Sequence, residues 1–230
     1  MVCSDSGKEE SRLMPGLSEG LVFVDEHMVV LDKPAGLLAV PGIGPEKQDS
    51  LATRAQAMWP DACVVHRLDQ ATSGLFLMAR GKAMQRALGM AFERREIGKR
   101  YVAVVAGDVE ADGWQVIDLP VTVDWPNRPL QVVDHERGKP SVTRYRMLPP
   151  PPGEGSGGGT TRLELEPVTG RSHQLRVHLK AIGHPILGDP LYAPPDVRAL
   201  APRLLLHAAG LTLDHPATRE AIAFASSVPF

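Results

Sequence analysis

Two apolar runs, Cys63–Val65 and Leu75–Ala79, bracket the polar stretch HRLDQATSG. Each run is too short for a buried helix and suits a buried strand. The polar stretch is then a loop pinned to the core at both ends. With extended backbone, Arg67 and Asp69 share one face while His66 and Leu68 point the other way. An arginine beside a carboxylate between buried strands holds the charge in place. From these residues alone, either a structural ion pair closing a turn or a working carboxylate fits.

The rest of the chain predicts mostly strands with a few helices. Residues 21–31 give two short strands or one bent strand, running into a turn at DKPAG, where Pro34 presets φ and Gly36 permits a positive one. Short helices are expected over 48–59 and 172–182, and a longer one over 82–95, where Met84, Ala87, Leu88 and Ala91 recur at helical spacing. Ser172 is the expected cap of the helix over 172–182, and Gly183 its stop. Strands are expected at 101–106, 114–124, 130–134, 141–147, 162–166, 204–207 and 211–213. The fold class is therefore α+β, with a mixed, largely antiparallel central sheet and flanking helices and loops. Residues 1–18 read as a loose polar tail, and 19–230 as one domain. The Pro/Gly-rich stretch 149–159 reads as a loop tip, because strand-like sequence flanks it on both sides.

Several functions lack support. There is no GxxxxGK[ST] loop, no GxGxxG after a strand, no HExxH and no GxSxG, so neither a nucleotide cofactor nor a bound metal is expected. Two cysteines, Cys3 and Cys63, form no CxxC pair, which argues for a reducing compartment. No apolar run reaches the length of a membrane span, and the N-terminal residues lack a signal core, so a cytoplasmic protein is expected. The formal net charge of −2 argues against nonspecific coating of nucleic acid, but leaves room for a local basic cleft. Residues 80–100 hold seven Lys/Arg against Glu93 and Glu96; from charge alone a solvated helix face is the favoured reading.

Two further segments carry candidate chemistry. In GRSHQLRVH, Arg171 falls at the expected helix start, where free amides favour an anion. A pair with Asp69 is one reading and a surface arginine is the other. His173 and His178 are five apart and do not align as a metal pair; they read as structural histidines. In KRYVA, Tyr101 opens an apolar strand, where it either packs in the core with a wet hydroxyl or stacks on a base.

Taken together, these segments resemble the RluA family of RNA pseudouridine synthases. LDKPAGLLAVPG, HRLDQATSG, KRYVAVV and GRSHQLRVHLKAIGHPILGDPLY match its motifs in the family's order, from about residue 20 onward. DWPNRP and RLLLHA point to the short type without an S4 RNA-binding domain; with about twenty residues ahead of the matched region, no such domain is expected. The resemblance implies an isomerase that needs no cofactor, with Asp69 as catalytic aspartate, Tyr101 as the tyrosine on the target base and Arg171 as the basic partner of Asp69. It implies that Arg67 enters the RNA where the uridine leaves, and that His66, Thr72, Ser73 and Gly74 support the loop. The implied partners are structured RNAs, ribosomal and transfer, and the implied state is a monomer. An RNA-binding module without catalysis and a hydrolase unrelated to RNA are the competing classes.

Overall fold

The computed structural model describes residues 20–149 and 158–230. The expected tail lies outside them, as does most of the Pro/Gly-rich stretch. The sheet begins with β1 (Leu21–Val24) and β2 (Met28–Lys33). After α1 (Leu51–Met58) come β3 (Ala62–Val64), β4 (Ser73–Arg80), α2 (Gly81–Glu93) and β5 (Gly98–Ala106). Four shorter strands follow: β6 (Gln115–Asp118), β7 (Val121–Val123), β8 (Gln131–Val133) and β9 (Val142–Met147). The chain continues through β10 (Thr160–Pro167), α3 (Gln174–Ala181), α4 (Pro195–Ala199), β11 (Leu206–Asp214) and β12 (Ala221–Ala225).

The main sheet runs β1-β2-β4-β11-β5-β10-β9-β6, with β3 added to β4 and β12 to β11. Every pairing is antiparallel except β4 with β11. β7 and β8 form a separate hairpin. This is the expected α+β architecture. β9 and β10, which flank the Pro/Gly-rich stretch, pair with each other.

β2 and β4 read as continuous apolar runs because both faces of this half of the sheet are covered. Val29, Leu31, Phe76 and Met78 pack with Leu51, Ala52 and Ala55 of α1. Met28, Val30, Leu75 and Leu77 pack on the other face with Leu88 of α2. In the other half, Leu163 and Leu165 meet Leu175 and Leu179 of α3. Some sequence expectations need correction. The single strand expected over 114–124 is two, β6 in the main sheet and β7 in the hairpin, with Leu119 and Pro120 between them. The two strands expected near the end are one, β11, whose register shifts between Ala208 and Gly210. β12, exposed at alternate residues, was not foreseen.

The parallel β4–β11 contact joins the two halves where the HRLDQATSG loop enters the sheet. His207 pairs with Ser73 and Ala208 with Gly74. The Ser73 hydroxyl meets His207 Nδ1 at 2.9 Å, and His207 Nε2 meets Ser226 Oγ at 2.9 Å. The Ser226 hydroxyl in turn donates to Asp32. Gly74 has φ +109, and a Cβ there would lie 2.4 Å from the carbonyl oxygen of Ala208. Gly74→Ala is expected to cost at least about 1–3 kcal/mol through strain and overpacking. The drop in urea midpoint at unchanged m-value measures it.

Candidate active site

The loop between β3 and β4 is held from below by Lys33. Its side chain is fully buried, and its ammonium donates to Pro34 O at 2.9 Å, Leu37 O at 2.7 Å and Gln70 O at 3.1 Å. Gly36 N–H donates to Gln70 O at 2.8 Å, and the Gln70 amide returns a bond to Gly36 O at 2.9 Å. The DKPAG turn and the loop carrying Asp69 are thus one hydrogen-bonded body. Burial pushes the Lys33 ammonium down to about 8, against the opposing pull of Asp69. His66 anchors the other end of the loop. Its Nε2 accepts from Leu77 N–H at 2.9 Å, and its ring stacks on Phe92. Burial, helped by the charge of Lys99, pushes this imidazole down to about 3.

Asp69 lies at the floor of a cleft of about 550 Å³ whose walls include Arg67, Tyr101, Arg171, His173 and Arg176. The cation that pairs with Asp69 is Arg176, not Arg171. Arg176 Nη1 donates to Asp69 Oδ2 at 3.1 Å. Its Nε and Nη2 make a two-pronged contact with Asp189, at 2.8 and 2.7 Å. Asp189 Oδ1 also accepts from the N–H groups of Leu191 and Tyr192. Arg176 and Asp189 are 2% and 0% exposed at the side chain, whereas Asp69 keeps 21%. Burial opposes the Arg176 charge, but the bonds to Asp189 and the nearby Asp69 outweigh it and raise its pKa.

The expected helix start explains the correction. α3 begins at Gln174, and its cap residue is His173 in the left-handed conformation, with no side-chain cap. Ser172 therefore does not cap it. Instead, Gln174 Oε1 accepts from Arg171 N–H at 3.0 Å and from the Thr169 hydroxyl at 2.7 Å. Arg171 sits three residues before the helix, exposed, on the cleft wall. Arg67 is likewise exposed at the cleft.

Tyr101 enters from β5 and packs between the two halves of the core. Burial, and then the negative charge of Asp69, hold its hydroxyl protonated far above the usual range. His173 Nε2 stands 3.7 Å from Asp69 Oδ1, and its Nδ1 meets Tyr192 Oη at 2.6 Å. The Tyr192 oxygen already accepts Gln131 N–H at 2.9 Å. Its own proton is best placed toward His173 Nδ1, which leaves the imidazole proton on Nε2, facing Asp69. Burial keeps His173 below its ordinary value. Lys33, His173, Arg176, Asp189 and Tyr192 all escaped the sequence reading as site residues. The signals were there: an arginine inside an otherwise apolar helical face, and a GDPLY turn shortly after it. Neither names its partner without the fold.

Solved structures with this architecture are pseudouridylate synthase domains. Human RNA pseudouridylate synthase domain containing 1 superposes with a TM-score of 0.73 at 27% identity, covering 94% of this chain and 87% of its own. Human RNA pseudouridylate synthase domain containing 4 gives 0.71 at 26% identity, covering 93% and 90%. The sequence profile of the RNA pseudouridylate synthase family matches residues 27–181, and the chain belongs to that family. It is 49% identical over 211 residues to the dual-specificity RNA pseudouridine synthase RluA of Escherichia coli (strain K12), covering 91% of this chain and 93% of the relative. The corresponding protein of Pasteurella multocida is 47% identical over 210 residues, with the same coverage. The protein is thus an RNA-modifying isomerase.

Two outcomes follow from this geometry. Arg176→Ala leaves Asp189 buried and uncompensated and is expected to cost about 3–5 kcal/mol, whereas Arg171→Ala should stay within about 0.5 kcal/mol. Urea unfolding of both variants checks the contrast. The second concerns His66, whose neutral ring is needed to accept Leu77 N–H. Its folded pKa lies below its unfolded one, so its contribution is complete above about pH 6.5 and drains away toward pH 3. Between pH 6.5 and 5 the loss is about 2 kcal/mol. His66→Gln, which keeps an acceptor, should show a correspondingly flatter dependence of urea midpoint on pH.

Proposed function

We propose that the protein converts specific uridines to pseudouridine in loops of large-subunit ribosomal RNA and in the tRNA anticodon stem-loop, with Asp69 as its catalytic carboxylate. The observation that carries this reading is the asymmetry of Asp69. One oxygen is tied to Arg176, and the other stands 3.7 Å from His173 Nε2 with no hydrogen bond of its own among the described residues. A carboxylate so held cannot turn away, yet keeps a free oxygen for the reacting nucleoside.

The reaction breaks the N1–C1′ bond, turns the uracil and rejoins it through C5. A proton leaves C5 and N1 gains one, so the RNA neither gains nor loses atoms. No oxidant, energy carrier or metal is required by that balance. The target base must first leave its stack, at a cost of a few kcal/mol. Arg67, which is exposed and lines the cleft, fills the gap it leaves. Tyr101 offers its ring to the flipped uracil. With its hydroxyl held protonated, it serves as a platform and hydrogen-bond donor rather than a ready base at neutral pH. Arg171 contributes from the wall as an RNA-facing cation, while Arg176 takes the part of basic partner to Asp69.

The dual specificity in the names of the bacterial relatives supports more than one RNA substrate. The same reading makes the protein a cytoplasmic monomer. Among the described residues, no helix is long and apolar enough to cross a membrane. The competing readings, an RNA-binding module without catalysis and a hydrolase, have no observation in their favour.

Asp69→Asn is expected to abolish pseudouridine formation while leaving RNA affinity within a few-fold of wild type. Single-turnover tritium release from uridine-labelled stem-loop RNA, with affinity measured in parallel, tests this. Substantial turnover by the purified variant would remove Asp69 from the role given to it.

A further inference from the structure

α2 ends in a Schellman turn. Glu96 N–H donates to Ala91 O at 2.9 Å, and Arg95 N–H to Phe92 O at 3.1 Å. This closure requires a left-handed residue at the position of Arg95, a place that glycine usually takes because a Cβ is disfavoured there. Arg95 sits there with φ 62. Its neighbour Arg94 reaches Glu96 at 4.0 Å. Arg95 itself has no ion pair or side-chain hydrogen bond among the described residues.

Its side chain lines the same cleft as Asp69, together with Lys99. Lys99 rises from β5 toward the loop before α3, such that a Cβ on Gly170 would lie 3.8 Å from its Nζ. It too has no carboxylate partner among the described residues, and it is half-buried. Burial, and then the like charge of Arg95, depress its pKa. Two cations thus line one wall of the cleft, and the charge of Arg95 opposes that of the half-buried Lys99. Glu93 lines this side of the cleft, and Glu166 lines the adjoining depression that Arg95 and Lys99 also border, where it pairs with Arg144; neither carboxylate bonds to Arg95 or Lys99. An anion between them would relieve the repulsion. The helix would tolerate a glycine better than the arginine it has.

We propose that Arg95 and Lys99 form a phosphate clamp, which grips the RNA backbone beside the target uridine, and that Arg95 occupies its left-handed position for this contact and not for the fold. The clamp rests on the reading of the cleft as an RNA site. Arg67 and Arg171 face it from the loops that carry Asp69 and lead into α3, so the strand would pass between two basic walls. Each phosphate neutralised releases counterions and steepens the salt dependence of binding.

The test compares wild type, Arg95→Gly and Arg94→Ala, the last removing the same charge one residue away from the cleft. Melting temperature is measured for each, together with the dissociation constant for a fluorescent stem-loop RNA across a range of salt. Arg95→Gly is expected to melt at or above the wild-type temperature, to bind several-fold more weakly at low salt, and to lose about 0.7 from the slope of log K against log salt. Arg94→Ala should keep the wild-type slope. Wild-type affinity and slope in Arg95→Gly would overturn the clamp, as would an equal loss in Arg94→Ala, which would reveal a diffuse field. A lowered melting temperature in Arg95→Gly would show that the arginine serves the fold, and would overturn it as well. Binding is read here independently of turnover, so a failure of the catalytic reading is separately visible in tritium release by the wild type.

Discussion

One guanidinium organises this molecule. Arg176 spends two of its N–H groups on Asp189, which is wholly buried, and a third on Asp69 at the cleft floor. Removing charge from water is costly, and it is offset here by geometry: paired, nearly parallel bonds on one side, and backbone amides of Leu191 and Tyr192 completing the acceptor. Such an arrangement has few alternatives. It sets α3 against the turn that follows it, and it fixes Asp69 from a loop that would otherwise be free to rotate.

A second layer of contacts makes that fixation rigid. Lys33 ties three carbonyls together beneath the loop, and His66 closes its first residue onto β4. The Ser73–His207 bond then joins the loop's far end to β11, where the sheet's only parallel pairing among the described strands occurs. The site therefore lies where two halves of the sheet meet. Its residues come from a loop, a strand and a helix of different halves. A carboxylate held in this way would need little reorganisation in the role proposed for Asp69, which is the physical meaning of a preorganised site.

The charged groups divide by exposure. Arg176, Asp189 and Lys33 are buried and fully bonded, and they shape the site without meeting solvent. Arg67, Arg95 and Arg171 are exposed around the cleft, where a polyanion entering it would meet them first. This division reconciles a net charge of −2 with a basic cleft. The Arg144 and Arg146 side chains on β9 are, by contrast, matched to Glu166 and Glu164 and add little to the cleft's field.

By itself, the sequence determined most of the elements and the motif order. Buried strands at β2 and β4 were legible because apolar runs of that length have few other folds, and α2 because its apolar spacing is helical. Asp69, Tyr101 and Arg67 were legible as candidates because polar residues between core elements, in a familiar order, are informative. The tertiary structure alone decided which arginine meets Asp69. Arg171 and Arg176 lie five residues apart in one segment, and nothing local distinguishes them. The choice rests on where α3 begins, which Gln174 sets by bonding back to Thr169 and to Arg171 N–H, and on Asp189, which a separate turn delivers. β12 and the single long β11 escaped for a related reason. Alternating exposed and half-buried residues carry a weak local signal, and a strand paired across a register shift is defined by its neighbours rather than by its own sequence.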